Sequence, residues 1–100
     1  MLHTINKSPY ERRNLDACLE RAVKGSTILL YEDAVYAALA AGGFAARMRQ
    51  AAQDFEICVL APDLQARGVK DATLVEGIRT IDYTGFVELV AEKGTAAAWL

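Results

Sequence analysis

The sequence predicts a small α/β fold, a three-layer sandwich in which a mostly parallel sheet of four or five strands is flanked by helices. Three observations carry this expectation. Thr27–Tyr31 and Phe55–Leu60 are apolar runs without alternation, the pattern of strands covered on both faces. Helix-period stripes lie between and around them, and right-handed crossovers convert such alternation into a parallel sheet. No repeat, low-complexity tract or linker interrupts the 100 residues, which are 53% apolar and 24% charged, so residues 1–100 are expected to form a single domain.

Met1–Asn6 reads as the first short strand. Ser8-Pro9-Tyr10-Glu11 fits a capping box, with Ser8 as N-cap, Pro9 at the first helical position and Glu11 at N3, which predicts a helix starting there. Its buried stripe is Leu15, Cys18, Leu19 and Ala22, and Gly25 is expected to end it. After the Thr27–Tyr31 strand, Asp33 is placed to cap an Ala-rich helix from Ala34, which Gly42-Gly43 breaks before a second segment reaching Ala52. Phe55–Leu60 leads into a short helix at Ala61–Gly68, with Pro62 near its start and Gly68 at its end. A polar connection follows. Arg79–Tyr83 is a fourth strand, Gly85–Glu92 is an amphipathic helix capped by Asp82 or Thr84, and Ala96–Leu100 is an apolar tail.

Eleven Lys plus Arg against thirteen Asp plus Glu leave a net charge of -2, which offers no basis for clamping a polyanion, so direct nucleic-acid binding is not expected. The uncharged stretch Ala34–Ala46 is mostly Ala and Gly and falls short of the roughly 20 apolar residues a bilayer needs, so no membrane span is expected. The amino-terminal residues lack the apolar region and small-residue cleavage site of a signal peptide. Cys18 and Cys58 sit on faces that read as buried rather than as a disulfide framework, and the expected compartment is the cytoplasm. No glycine-rich phosphate loop occurs, and one His without a C-x-x-C pair makes no zinc site, so neither cofactor nor metal is expected.

Chemistry in open α/β sheets gathers outside the carboxyl ends of the strands. That edge should carry Asn6-Lys7-Ser8, Glu32-Asp33, Pro62-Asp63 and Asp82-Tyr83. Helix capping accounts for Ser8, Asp33 and Asp82 without invoking function; a small-ligand module would instead need a concave pocket bounded by Asn6, Glu32 and Asp82. Cys18 is the candidate catalytic residue. As a sulfur carrier it needs exposure and a neighbour that lowers its pKa, yet its place between Leu15 and Leu19 predicts a packed thiol, roughly 15 Å down a helix that starts near Ser8. Cys58 reads as core. His3 could pair with Cys18 if both face one side of the sheet, given hydrogen-bond reach. Trp99-Leu100 either packs back on its own sheet or serves an interface, and the interface is the sharper expectation.

Met1-Leu2-His3-Thr4, Asn6 and Ser8-Pro9; Leu30 with Glu32-Asp33 and Val35-Tyr36-Ala37; Val59-Leu60 with Pro62-Asp63-Leu64 and Ala66-Arg67-Gly68; Ile81-Asp82-Tyr83 with Gly85-Phe86-Val87; and Ala98-Trp99 occur in one order. Together they resemble the DsrH/TusB family. The resemblance implies a DsrEF-like fold and a cytoplasmic subunit of a sulfur-relay (sulfurtransferase) complex. In that complex it would join DsrE/TusD-like and DsrF/TusC-like chains as a dimer of heterotrimers. It further implies that persulfide sulfur passes along cysteines to a DsrC/TusE-like acceptor, for 2-thiolation of tRNA wobble uridine or for dissimilatory sulfur oxidation. The principal sulfur-accepting cysteine is implied to belong to the DsrE/TusD-like partner. Cys18 resembles the first-helix cysteine of the DsrH side, which tilts the expectation toward oxidation. The alternatives are an autonomous thiol-based sulfur carrier using Cys18 and a non-catalytic small-ligand-binding α/β module.

Overall fold

Five parallel strands form one sheet, and the direction of each crossover decides which face receives which helix. The computed structural model describes residues 1–94 and 96–100. The strands are β1 (Leu2–Ile5), β2 (Thr27–Leu30), β3 (Glu56–Leu60), β4 (Arg79–Ile81) and β5 (Ala96–Trp99), in the spatial order β4-β3-β2-β1-β5. The chain steps from β1 through β4 in one direction and then returns to the far side of β1. Right-handed connections therefore put the first three crossovers on one face and the last on the other. On the first face lie α1 (Asn14–Arg21), a 3-10 helix (Glu32–Ala38), α2 (Ala45–Asp54) and α3 (Ala61–Ala66); α4 (Tyr83–Lys93) covers the second.

Burial follows the pleat. Ile5, Ile28, Leu30, Ile57 and Val59 point to the multi-helix face, where they meet Leu15, Cys18, Leu19, Met48 and Leu64. Leu2, Leu29, Cys58, Leu60 and Ile81 point the other way and meet Leu89 and Phe86 of α4. With one helix on that second face, Ala96 and Ala98 of β5 stay exposed there beside Leu2 and Thr4. The apolar tail is thus an edge strand, and the half-buried Trp99 packs back against its own sheet rather than outward.

Two helix starts differ from the sequence reading. The first helix begins at Asn14, not Pro9: Ser8 closes a single turn, its carbonyl accepting from the amides of Glu11 (3.1 Å) and Arg12 (3.0 Å) and its hydroxyl from Tyr10 (3.2 Å). A continuous helix would carry Tyr10 away from Phe44, whose amide donates to the Tyr10 hydroxyl at 3.1 Å and whose ring meets it edge-on at 6.4 Å. That tertiary contact outweighs the local cap. The helix also ends at Arg21, with Gly25 lying beyond it in the turn to β2 at φ +93.

Asp33 caps nothing. The segment after β2 winds as a 3-10 helix from Glu32 to Ala38, with buried Ala34/Ala37 and Val35/Ala38 eclipsed at three-residue spacing. The break at Gly42-Gly43 is present, and α2 restarts at Ala45. Asp82, by contrast, is the N-cap of α4, its Oδ1 accepting from the Gly85 amide at 2.8 Å.

Candidate functional site

The carboxyl edge is built by the loops leaving β1, β2, β3 and β4. Glu32 leaves β2 in the left-handed region, φ +47, which bends the chain sharply after its amide, and that amide faces the next loop. There it donates to Asp63 Oδ2 at 2.7 Å, while Glu32 Oε1 accepts from Asn6 Nδ2 at 3.4 Å. Asp33 points sideways to Arg67, whose Nε donates to it at 2.9 Å and whose Nη1 donates to the Asp63 carbonyl at 3.3 Å. Asn6, Glu32, Asp33 and Asp63 are therefore brought together, with Arg67 as the cation that the sequence reading missed. The signal for it was weak: an Arg one helical turn after Asp63.

Asp82 stands apart from this group, engaged at the start of α4. The connections after β3 and β4 leave on opposite faces, so the crevice of an open sheet would fall between Asp63 and Asp82. Both carboxylates already accept backbone amides. A cavity of about 300 Å³ lies elsewhere, lined by Arg49, Ala52, Gln53, Glu76 and Gly77. Among the described residues no group of three or more His, Cys, Asp or Glu side chains gathers to hold a metal, and no helix is long and apolar enough to cross a membrane.

Cys18 is fully buried on α1 among Leu15, Leu19 and the multi-helix face of the sheet. Because the helix starts at Asn14, Cys18 lies about 6 Å along it from that start, not 15 Å. Even so, burial pushes it up from 9.0 to about 11, so loss of hydration outweighs any help from the helix N-terminus. Cys58, beneath α4, is also pushed up by burial, against the opposing pull of the Arg79 guanidinium. No disulfide joins the two.

His3 does face the same side of the sheet as Cys18, since it shares parity with Ile5 and pairs with Ile28. Its Nδ1, however, accepts from Trp99 Nε1 at 3.1 Å, and among the described residues no hydrogen bond joins it to Cys18. Among the described residues no base is hydrogen-bonded to the thiol, and burial alone accounts for its raised pKa. Exposed apolar side chains gather on α4 instead, where Tyr83, Val87 and Val90 occupy one helical stripe at 59%, 66% and 39% exposure.

Comparison with known proteins places this geometry. The family described as "DsrH like protein" matches residues 7–95. The chain belongs to the DsrH family. It is 37% identical to Protein TusB of Pectobacterium parmentieri over 99% of this chain and 100% of that one, and 33% identical to Protein TusB of Shigella flexneri over the same shares. Its fold resembles the ychN protein of E. coli, with a TM-score of 0.75 at 16% identity over 97% of each chain. A protein of unknown function from Methanobacterium thermoautotrophicum superposes with a TM-score of 0.67 at 17% identity, over 97% of this chain and 95% of that one. The α/β sandwich expected with a mostly parallel sheet of four or five strands is the observed fold, and its sheet has five strands, all parallel.

Proposed function

We propose that this DsrH-family chain is an accessory subunit of a cytoplasmic persulfide-relay complex, contributing surface rather than a self-sufficient reaction centre. Its partners in this reading are DsrE/TusD-like and DsrF/TusC-like chains, assembled as a dimer of heterotrimers, with a DsrC/TusE-like protein as sulfur acceptor. The observation that carries the reading is the state of Cys18. A thiol without exposed surface, held near 11 and with no hydrogen-bonded base among the described residues, presents almost no thiolate to an incoming persulfide at neutral pH. Family membership supports the relay, and the exposed Tyr83, Val87 and Val90 support docking, because aromatic and aliphatic side chains populate the cores of interfaces.

Two destinations for the sulfur have support. The name TusB carried by relatives of 33% to 37% identity favours 2-thiolation of tRNA wobble uridine. Cys18, which resembles the first-helix cysteine of the DsrH side, favours dissimilatory sulfur oxidation. In either case a net charge of -2 leaves any contact with nucleic acid to other members of the complex.

The test mixes the purified chain with its DsrE-like and DsrF-like partners, measures mass in solution, and then supplies labelled sulfane sulfur. The expected result is a hetero-oligomer whose label resides on the DsrE-like subunit and survives Cys18→Ala in this chain. A chain that stays monomeric beside those partners, yet mobilises sulfane sulfur at a turnover abolished by Cys18→Ser, overturns the proposal in favour of an autonomous carrier.

A further inference from the structure

The edge strand β5 is weakly equipped to hold itself in place. It pairs only with β1, and three of its four side chains are alanines, two of them exposed. Trp99 is the β5 residue that packs against the apolar core, and two further bonds fasten it. Asn14 Nδ2 donates to the Trp99 carbonyl at 3.2 Å, and the indole Nε1–H donates to His3 Nδ1 at 3.1 Å, with the rings 6.2 Å apart and tilted by 46°. An indole nitrogen can only donate. The imidazole must therefore present a bare lone pair at Nδ1 and carry its single proton on Nε2.

We infer that His3 and Trp99 form a pH-sensitive clasp on β5, closed while the imidazole is neutral with Nε2 protonated and opened when a proton binds Nδ1. Protonation sets two N–H groups against each other at hydrogen-bond distance, so the indole must turn away. With it goes the side-chain anchor of the strand, leaving the backbone ladder to β1.

The surroundings do nothing to keep an imidazolium in place. His3 is 6% exposed, and burial first, then the α-amino group of Met1, holds its pKa below the ordinary 6.5. β2 from Thr27 to Leu30 and β5 from Ala96 to Trp99 carry no ionisable side chain. From α1, which packs on both β1 and β5, the inward residues are Leu15, Cys18 and Leu19, of which only the neutral Cys18 thiol can ionise. Of the charged residues of that segment, Asp16 meets Arg47 at 3.7 Å, Arg13 meets Glu20 at 3.6 Å, and Arg21 is exposed at the far end of the helix. A lowered pKa means that the released state takes up the proton first. The clasp is intact above pH 6.5 and weakens as pH falls from there through the pKa of the folded form.

One His and one Trp in the chain make both partners spectroscopically unique. The full chain is followed by NMR and fluorescence from about pH 8 to about pH 5, reading the His3 ring, the Trp99 indole N–H and amide exchange along the sheet. The expected result is one midpoint below 6.5 for both rings, with β5 amides exchanging at least about tenfold faster relative to β2 on the acid side. Trp99→Phe should move the His3 midpoint up toward 6.5, and His3→Gln, which keeps an acceptor, should leave Trp99 packed and remove the pH step. An indole signal unmoved while His3 titrates overturns the inference, as does a His3 midpoint unchanged in Trp99→Phe. The second result decides alone if His3→Gln does not fold.

Discussion

The backbone amide of Glu32 donates to the Asp63 carboxylate across 2.7 Å, joining the exit of β2 to the first turn of α3. Glu32 itself adopts left-handed backbone, φ +47, which redirects the chain after that amide, and such a conformation persists only where its surroundings hold it. Asp63→Ala should cost about 1–2 kcal/mol, because it removes a charge-assisted acceptor from a strained turn. Asp63→Asn, with one oxygen left to accept, should cost less. Thermal melts of the three proteins check the order; equal midpoints for wild type and Asp63→Ala would show that solvent replaces the carboxylate without loss.

The buried thiol of Cys18 should limit alkaline stability. Its pKa rises on folding from 9.0 to about 11, so the unfolded chain surrenders the proton first. Stability that is present below pH 9 is therefore lost between pH 9 and 11, by on the order of 2 kcal/mol. Cys18→Ala should shrink that alkaline loss while Cys58 retains its own part. Urea midpoints at neutral and alkaline pH for both proteins measure the difference, and parallel curves would mean that the thiol is hydrated in the folded state.

Gly42 marks where two segments approach too closely for a side chain. A Cβ there would sit 2.9 Å from the Tyr10 hydroxyl and 3.3 Å from the Leu39 carbonyl oxygen. Gly42→Ala should push Tyr10 off the Phe44 amide at a cost of about 1–3 kcal/mol. The same substitution in a Tyr10→Phe background should cost less, since the hydroxyl is gone. A double-mutant cycle reads this directly, and strict additivity would locate the strain at Leu39 instead.

What the sequence disclosed and what it hid divide along the range of the interactions involved. Thr27–Leu30 and Glu56–Leu60 were legible because a strand buried on both faces leaves an uninterrupted apolar run. Pro62, Gly68 and Asp82 marked α3 and the start of α4 through backbone constraints that act within a few residues. The start of α1 was not legible, since the Tyr10 to Phe44 contact that displaces it joins residues far apart in the chain. Nor was β5: a run of alanines has no period, and the partner of Trp99 lies at the opposite end of the sequence. At the carboxyl edge the strand ends themselves mark the carboxylates, but the place of Asp33 before a helix suggests a cap, whereas the distant Arg67 claims it. For Cys18 the apolar stripe foretold burial correctly, although the helix is shorter than its capping motif suggested.

The apolar side of α4 gives the proposed assembly its sharpest test. Val87 is 66% exposed between Tyr83 and Val90, so a charge placed there meets water in the isolated chain and should change folding stability by no more than about 0.5 kcal/mol. At the centre of an interface the same charge would be desolvated without a partner, which costs well over the roughly 1.4 kcal/mol that corresponds to tenfold in affinity. Val87→Lys should therefore melt like wild type yet bind its DsrE-like and DsrF-like companions at least about tenfold more weakly. Glu88→Lys, one position round the helix on its exposed polar side, is the control for charge alone. If both variants assemble as tightly as wild type, the stripe on α4 is not the surface through which this subunit joins the relay.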